Sequence, residues 1–211
     1  MSGLRLLIGL ACLAAAGNEE PSGADAGAGE AARFPLQFDS EVVRLFVEAE
    51  SLRVEGLYLF RCLESSLPVV SLLYPYPAGE LDGGARTVRL EARSPGGTWR
   101  LLDFREMPEV PAVRWRVPLE LGDRIEVRTT YVQELRAQHA RYIVTTTHAW
   151  GAPLNRARFE IHLPEDAVPT RFSFPFERHE GDGKVFYAYE AEGFAPDRDV
   201  IVEWETREGD R

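Results

Sequence analysis

Val54-Glu-Gly-Leu-Tyr-Leu-Phe-Arg-Cys-Leu63 is the stretch on which the fold class turns. Val54, Gly56, Tyr58, Phe60 and Cys62 share one face at a period of two, and Leu57, Leu59 and Leu63 make the opposite face apolar as well. The pattern predicts a central strand covered on both sides. Downstream, strands at 87–93 and 98–104 flank Ser94-Pro-Gly-Gly97, a hairpin signal in which glycine supplies the positive φ. Strands at 113–119 and 124–135 flank a second turn at Glu120-Leu-Gly-Asp123. Further strands are expected at 141–147, 157–163, 171–177, 185–191 and 200–206.

One segment reads two ways. From Ser40 to Leu52, residues Val42, Leu45, Phe46, Ala49 and Leu52 fit a helical stripe with Ser40 as N-cap. Val43, Leu45, Val47 and Ala49 fit a strand equally well, and strand is the choice because every neighbouring element is one. Turn residues recur every 8 to 12 positions, prolines stand at the ends of the runs, and no βαβ spacing occurs. The fold class is all-β: an immunoglobulin-like antiparallel β-sandwich of about ten strands. It is either one elaborated domain over residues 34–211 or two small sandwiches meeting near 105–112.

The 211 residues carry 34 Asp+Glu against 24 Lys+Arg, a formal charge of −10, which excludes a general electrostatic grip on nucleic acid. The chain opens Met1-Ser-Gly-Leu-Arg5, continues in an apolar run to Ala16, and so has the layout of a secretory signal peptide over residues 1–17. The run is too short to span a bilayer, and a mature chain without a transmembrane helix is expected. Ala14 and Ala16 form an A-x-A cleavage signal, while Leu10-Ala11-Cys12 is a faint lipid-acceptor box that makes Cys12 a candidate lipid attachment point. Gly9 and the apolar residues after Cys12 favour plain secretion to the periplasm or cell exterior. Residues 18–33 hold no aromatic or branched aliphatic side chain and read as a flexible linker. Cys62 then remains alone, and its neighbours mark it as a strand cysteine.

Tyr142-Ile-Val-Thr-Thr-Thr-His-Ala-Trp150-Gly-Ala-Pro153 and Phe194-Ala-Pro-Asp-Arg-Asp199 carry a resemblance. Together with Tyr74-Pro-Tyr-Pro77, they resemble a group of exported bacterial β-sandwich domains of unknown function. That group has a Tyr-x-x-Thr-Thr strand end, a Trp-Gly-x-Pro turn and a Phe-x-Pro-Asp-Arg-Asp corner. The last phrase is also similar to one in β-sandwich modules that precede von Willebrand-type domains. The resemblance implies a sandwich and an extracytoplasmic address, and no activity. Read physically, Pro196 presets a turn, Asp197 accepts local N–H groups, Arg198 pairs with Asp199, and Thr145-Thr-Thr147 ends a strand. Trp150 lies in a loop that lays its indole over the sandwich rim, as a core cap or as a candidate contact for a ligand or partner.

Common short catalytic signatures are absent from the sequence: no Gly-rich phosphate loop, H-E-x-x-H, G-x-S-x-G or C-x-x-C. His162 and Glu160 alternate on one strand face as ordinary surface residues, and Glu180-Gly-Asp-Gly-Lys184 reads as a hairpin turn rather than a calcium loop. Arginine exceeds lysine 23 to 1, scattered among Glu and Asp as solvated mixed-charge faces. No catalytic, cofactor-binding or metal residue is named, and no cofactor is expected. The leading expectation is a non-enzymatic interaction or structural module of the cell envelope, whose partner is an envelope or extracellular protein or a polysaccharide. A carbohydrate-binding module and a hydrolase with a site built from distant loops are the alternatives.

Overall fold

The computed structural model describes residues 13–14 (backbone), 36–63, 70–118, 124–181 and 183–207. The leader, Cys12, the linker at 18–33 and the expected turn at 120–123 lie outside the described residues, apart from the backbone of Leu13 and Ala14. The all-β, sandwich-like class expected from the sequence is what the chain adopts. The strands are β1 (Leu13–Ala14), β2 (Leu36–Val47), β3 (Ser51–Cys62), β4 (Val70–Pro75), β5 (Asp82–Arg93), β6 (Arg100–Leu101), β7 (Phe104–Met107) and β8 (Ala112–Arg116). They continue with β9 (Arg124–Leu135), β10 (His139–Tyr142), β11 (Leu154–His162), β12 (Ala167–Phe172), β13 (Glu177–Gly181), β14 (Lys184–Phe194) and β15 (Val200–Thr206). A 3-10 turn at Thr145–Trp150 separates β10 from β11.

Three sheets share one core. An eight-stranded sheet runs β13-β14-β11-β2-β3-β9-β5-β6, and two smaller ones run β1-β4-β8-β7 and β10-β15-β12. Pairing is antiparallel except between β2 and β11, where Ser40–Phe46 lies parallel to Arg156–His162. Tyr58 of β3 ties the layers together: its hydroxyl meets that of Tyr74 on β4 at 2.8 Å and that of Tyr142 on β10 at 2.9 Å. Its ring lies over Gly56, two residues earlier on the same face, where any Cβ would collide with it.

The face of β2 that turns inward changes midway. A bulge between Phe38 and Ser40 inserts Asp39 as an extra residue. Leu36 and Phe38 point inward before it, Glu41, Val43, Leu45 and Val47 after it, and all are buried. Asp39 is held by Arg61 at 2.9 Å and Asn155 at 2.6 Å.

β3 is central, as expected, but only one of its faces is covered. Leu57 is 40% exposed, because the outer face of the large sheet is clothed by paired arginines and glutamates instead of another layer. Arg128 and Glu91 meet at 2.7 Å, Arg93 and Glu126 at 2.6 Å, and Arg44 and Glu160 at 2.8 Å. With its arginine partly open to water, each such pair contributes about 0–1 kcal/mol, so the fold rests on the buried face.

Several strand boundaries differ from expectation, three of them by more than a shifted end. Thr145-Thr-Thr147 opens the 3-10 turn rather than ending a strand, and Gly151 closes that turn at φ +70°. The segment 171–177 splits at Ser173–Phe176, where Pro175 cannot donate to a ladder, and its halves join different sheets. The segment 98–104 pairs with β5 over only two residues before crossing to β8. The Ser94–Gly97 hairpin closes as expected, with Gly97 N–H donating to Ser94 at 2.9 Å and Gly96 at φ +75°.

Candidate functional site

Two small sheets covering one large sheet leave a seam, and a pocket sits in it. Its floor is the inner face of the large sheet: Phe38 and Glu41 from β2, Tyr58 and Phe60 from β3, Val127 and Thr129 from β9. Tyr74, Pro75 and Trp115 form one wall. Tyr142, Ile143, Thr146 and Thr147 form the other, so the 3-10 turn is part of the lid. The enclosed space is about 30 Å³, room for one or two water-sized groups.

The floor carries a cluster of polar groups. Thr129 Oγ1 lies 3.3 Å from both the Tyr58 and the Tyr74 hydroxyl, completing a mesh with Tyr142. Glu41 faces Tyr58 directly across the β2–β3 ladder and is 3% exposed. Its Oε1 makes no hydrogen bond among the described residues, and neither do Thr147 Oγ1 and Trp115 Nε1. Burial pushes the Glu41 carboxyl up from 4.5 to about 8, because an ion there would give up water with no counter-charge in return. Burial likewise raises the Tyr58, Tyr74 and Tyr142 phenols, which stay neutral.

Solved structures similar to the chain in fold include the following two. One is a Legionella pneumophila protein described as a "putative nutrient binding protein", at TM-score 0.62 and 12% identity, covering 82% of this chain and 67% of that one. The other is native yeast LTA4 hydrolase, at TM-score 0.50 and 11% identity, covering 81% of this chain but only 29% of the hydrolase. Identities this low show a shared fold alone. No protein-family model matches the sequence, and no characterised protein matches it by sequence search.

Trp150, the one candidate contact named from sequence, is 9% exposed and packs on Phe38 and Phe60 with ring centroids 5.5 and 5.6 Å apart. It caps the core beside the seam pocket, and a ligand would meet its indole only if the cap moved. The Phe194–Asp199 corner holds that cap in place by a different pairing from the expected one. Arg198 is engaged by Asp197 at 2.7 and 3.0 Å. Asp199 Oδ1 accepts the backbone N–H groups of Val144 and Thr145 at 3.1 and 3.2 Å and the Thr145 hydroxyl at 2.8 Å, while Oδ2 accepts Arg141 Nε at 3.0 Å.

Glu160 and His162 share the outer face as expected, and both Glu160 oxygens are taken, by Arg44 at 2.8 Å and Arg158 at 2.7 Å. Burial alone would raise the Glu160 carboxyl, but the two guanidinium groups hold it below the usual range. His162 sits in a stacked row across four strands, Phe46, His162, Phe186 and His179, with centroids 4.5, 5.4 and 5.4 Å apart. Among the described residues no cluster of three His, Cys, Asp or Glu stands ready for a metal ion, and no helix is long and apolar enough to cross a membrane. Cys62 ends β3 in a half-buried position. The Glu180–Lys184 stretch spans the β13–β14 hairpin, with Asp182 outside the described residues.

The floor carboxylate was missed from sequence, although a signal exists. Glu41, Val43, Leu45 and Val47 are spaced by two, so a strand reading of that segment puts a glutamate on the core face.

The tryptophans give a direct check. Trp115, Trp150 and Trp204 are buried, while half-buried Trp99 lies under Arg93 at 4.3 Å and Arg128 at 4.6 Å. Iodide is therefore expected to quench one indole out of four, and Trp99→Phe is expected to abolish the quenchable fraction. A second accessible indole would contradict this placement.

Proposed function

We propose that the chain is an exported, non-enzymatic binding module of the bacterial envelope or extracellular space, which takes its ligand, or one group of a partner, into the seam pocket. Glu41 carries this reading: a buried carboxyl with an unpartnered oxygen, on the floor of a pocket that three sheets build. Leaving such a group unpaired costs on the order of 1–3 kcal/mol or more, a sacrifice that folding alone does not repay. Convergent polar groups and a displaced carboxyl in an otherwise apolar pocket are the usual marks of a binding site. The Legionella protein's description as nutrient binding points the same way.

The rivals draw less support from the geometry. A glycoside-hydrolase mechanism needs two carboxyl groups about 5–10 Å apart, and the pocket lining supplies one. A sugar platform needs open aromatic faces, and the tryptophans are either buried or under guanidinium groups. Export accounts for the leader over residues 1–17.

The test is to incubate the full chain with extracts of the source cells and recover what co-purifies. A stoichiometric ligand returned with its mass unchanged supports the reading. A ligand returned chemically altered, or nothing retained above a Thr147→Trp variant that fills the pocket, would sink it.

A further inference from the structure

Resting on the seam pocket being the binding site, we infer that the group it receives is a small cation, the ammonium head of an organic amine. The pocket offers acceptors and π faces. Glu41 Oε1 is buried and unpartnered. The hydroxyls of Tyr58, Tyr74 and Tyr142, clustered 2.8 and 2.9 Å apart, keep lone pairs that their mutual bonds do not use. Phe60 and Trp115, whose rings stand 6.3 Å apart and nearly edge-to-face, add aromatic walls of the kind that attract a desolvated cation. The lining carries one acidic side chain, Glu41, and no basic one. An anion would find no counter-charge there, and a neutral molecule would supply none, so a cation alone draws the carboxyl into its ionised form.

Size limits the head group further. About 30 Å³ of enclosed space admits a primary ammonium or methylammonium group but not a ring. The stem of the amine would leave past Ile143, which is only partly buried.

Charge pairing makes the binding depend on pH. The titratable groups facing Glu41 are Tyr58 from β3, Tyr74 from β4 and Tyr142 from β10, all raised by burial and neutral across the range of interest. An ammonium ion binds the ionised carboxylate, so below about 8 it must displace the proton that Glu41 holds. Affinity then falls about tenfold for each pH unit below that value.

The experiment titrates the full chain with methylammonium chloride, and separately with methanol and sodium acetate, at constant ionic strength between pH 6 and pH 9. The Trp115 indole N–H resonance, assigned by its loss in Trp115→Phe, reports on the pocket. The expected result is a saturable shift with methylammonium alone that tightens about tenfold per unit up to pH 8 and weakens at least tenfold in Glu41→Gln. The spectrum of that variant also verifies that it folds. Equal responses to methanol, or a methylammonium response unchanged in Glu41→Gln, overturn the cation assignment and leave the pocket standing as a site. If no probe moves the Trp115 resonance while the rest of the spectrum stays native, the pocket reading falls with it.

Discussion

At pH 9 the Glu41→Gln protein is expected to unfold about 10 °C above the native chain, and at pH 4 at the same temperature. The unfolded glutamate ionises near 4.5, whereas the folded one keeps its proton to about 8. Between those values the folded state binds more protons than the unfolded one, so native stability declines as pH rises through that window and levels off above it. Each unit of displacement is worth about 1.4 kcal/mol, and the full cost at alkaline pH is about 3–5 kcal/mol. Glutamine keeps the shape and cannot ionise, so it escapes the cost. Urea unfolding of both proteins at pH 4, 6 and 9 measures the divergence, and comparing the pair cancels every other titration in the chain. Parallel stability curves would mean that Glu41 has solvent or a partner after all. Saturating methylammonium is expected to restore part of the native protein's lost stability at pH 9, and to leave the variant unchanged.

Asp199→Ala is the opposite case, with a loss of about 3–5 kcal/mol. One carboxylate serves two backbone N–H groups, a threonine hydroxyl and a guanidinium group. Alanine leaves all four donors to find water at the edge of the core. The 3-10 turn they start carries Trp150, so the variant should show red-shifted tryptophan emission as well as a melting temperature lowered by roughly 10 °C. Asp199→Asn, which keeps an acceptor but not the charge, is expected to fall between. A loss below about 1 kcal/mol in the alanine variant would show that the turn holds without its anchor.

The strands at 124–135 and 200–206 were legible to the residue, because clean alternation there runs between unambiguous turns. What escaped was set by distant contacts. Thr145–Thr147 has β-branched strand chemistry, yet an aspartate 54 residues later accepts its backbone donors and bends it into a 3-10 turn. The division of the cover into two small sheets, and hence the seam, depends on pairings such as β10 with β15 that no local pattern announces. Leu57 and Leu59 read as a second buried face because alternation cannot tell an apolar residue beneath another layer from one set among arginine stems. Glu41 was visible in principle, but the bulge at Asp39 changes which residues of β2 face inward, and nothing in the sequence announces that change.

The parallel alignment of β2 with β11 also governs how the molecule can assemble. Arg44 and Glu160 touch across 116 residues of chain, so β2 can gain its second neighbour only once β11, which ends at His162, has been made. Strand pairings that close such long loops raise contact order and slow folding. A nascent chain of this design keeps one flank of β2 open until β11 arrives, an unpaired strand edge on which another chain could add in the interval.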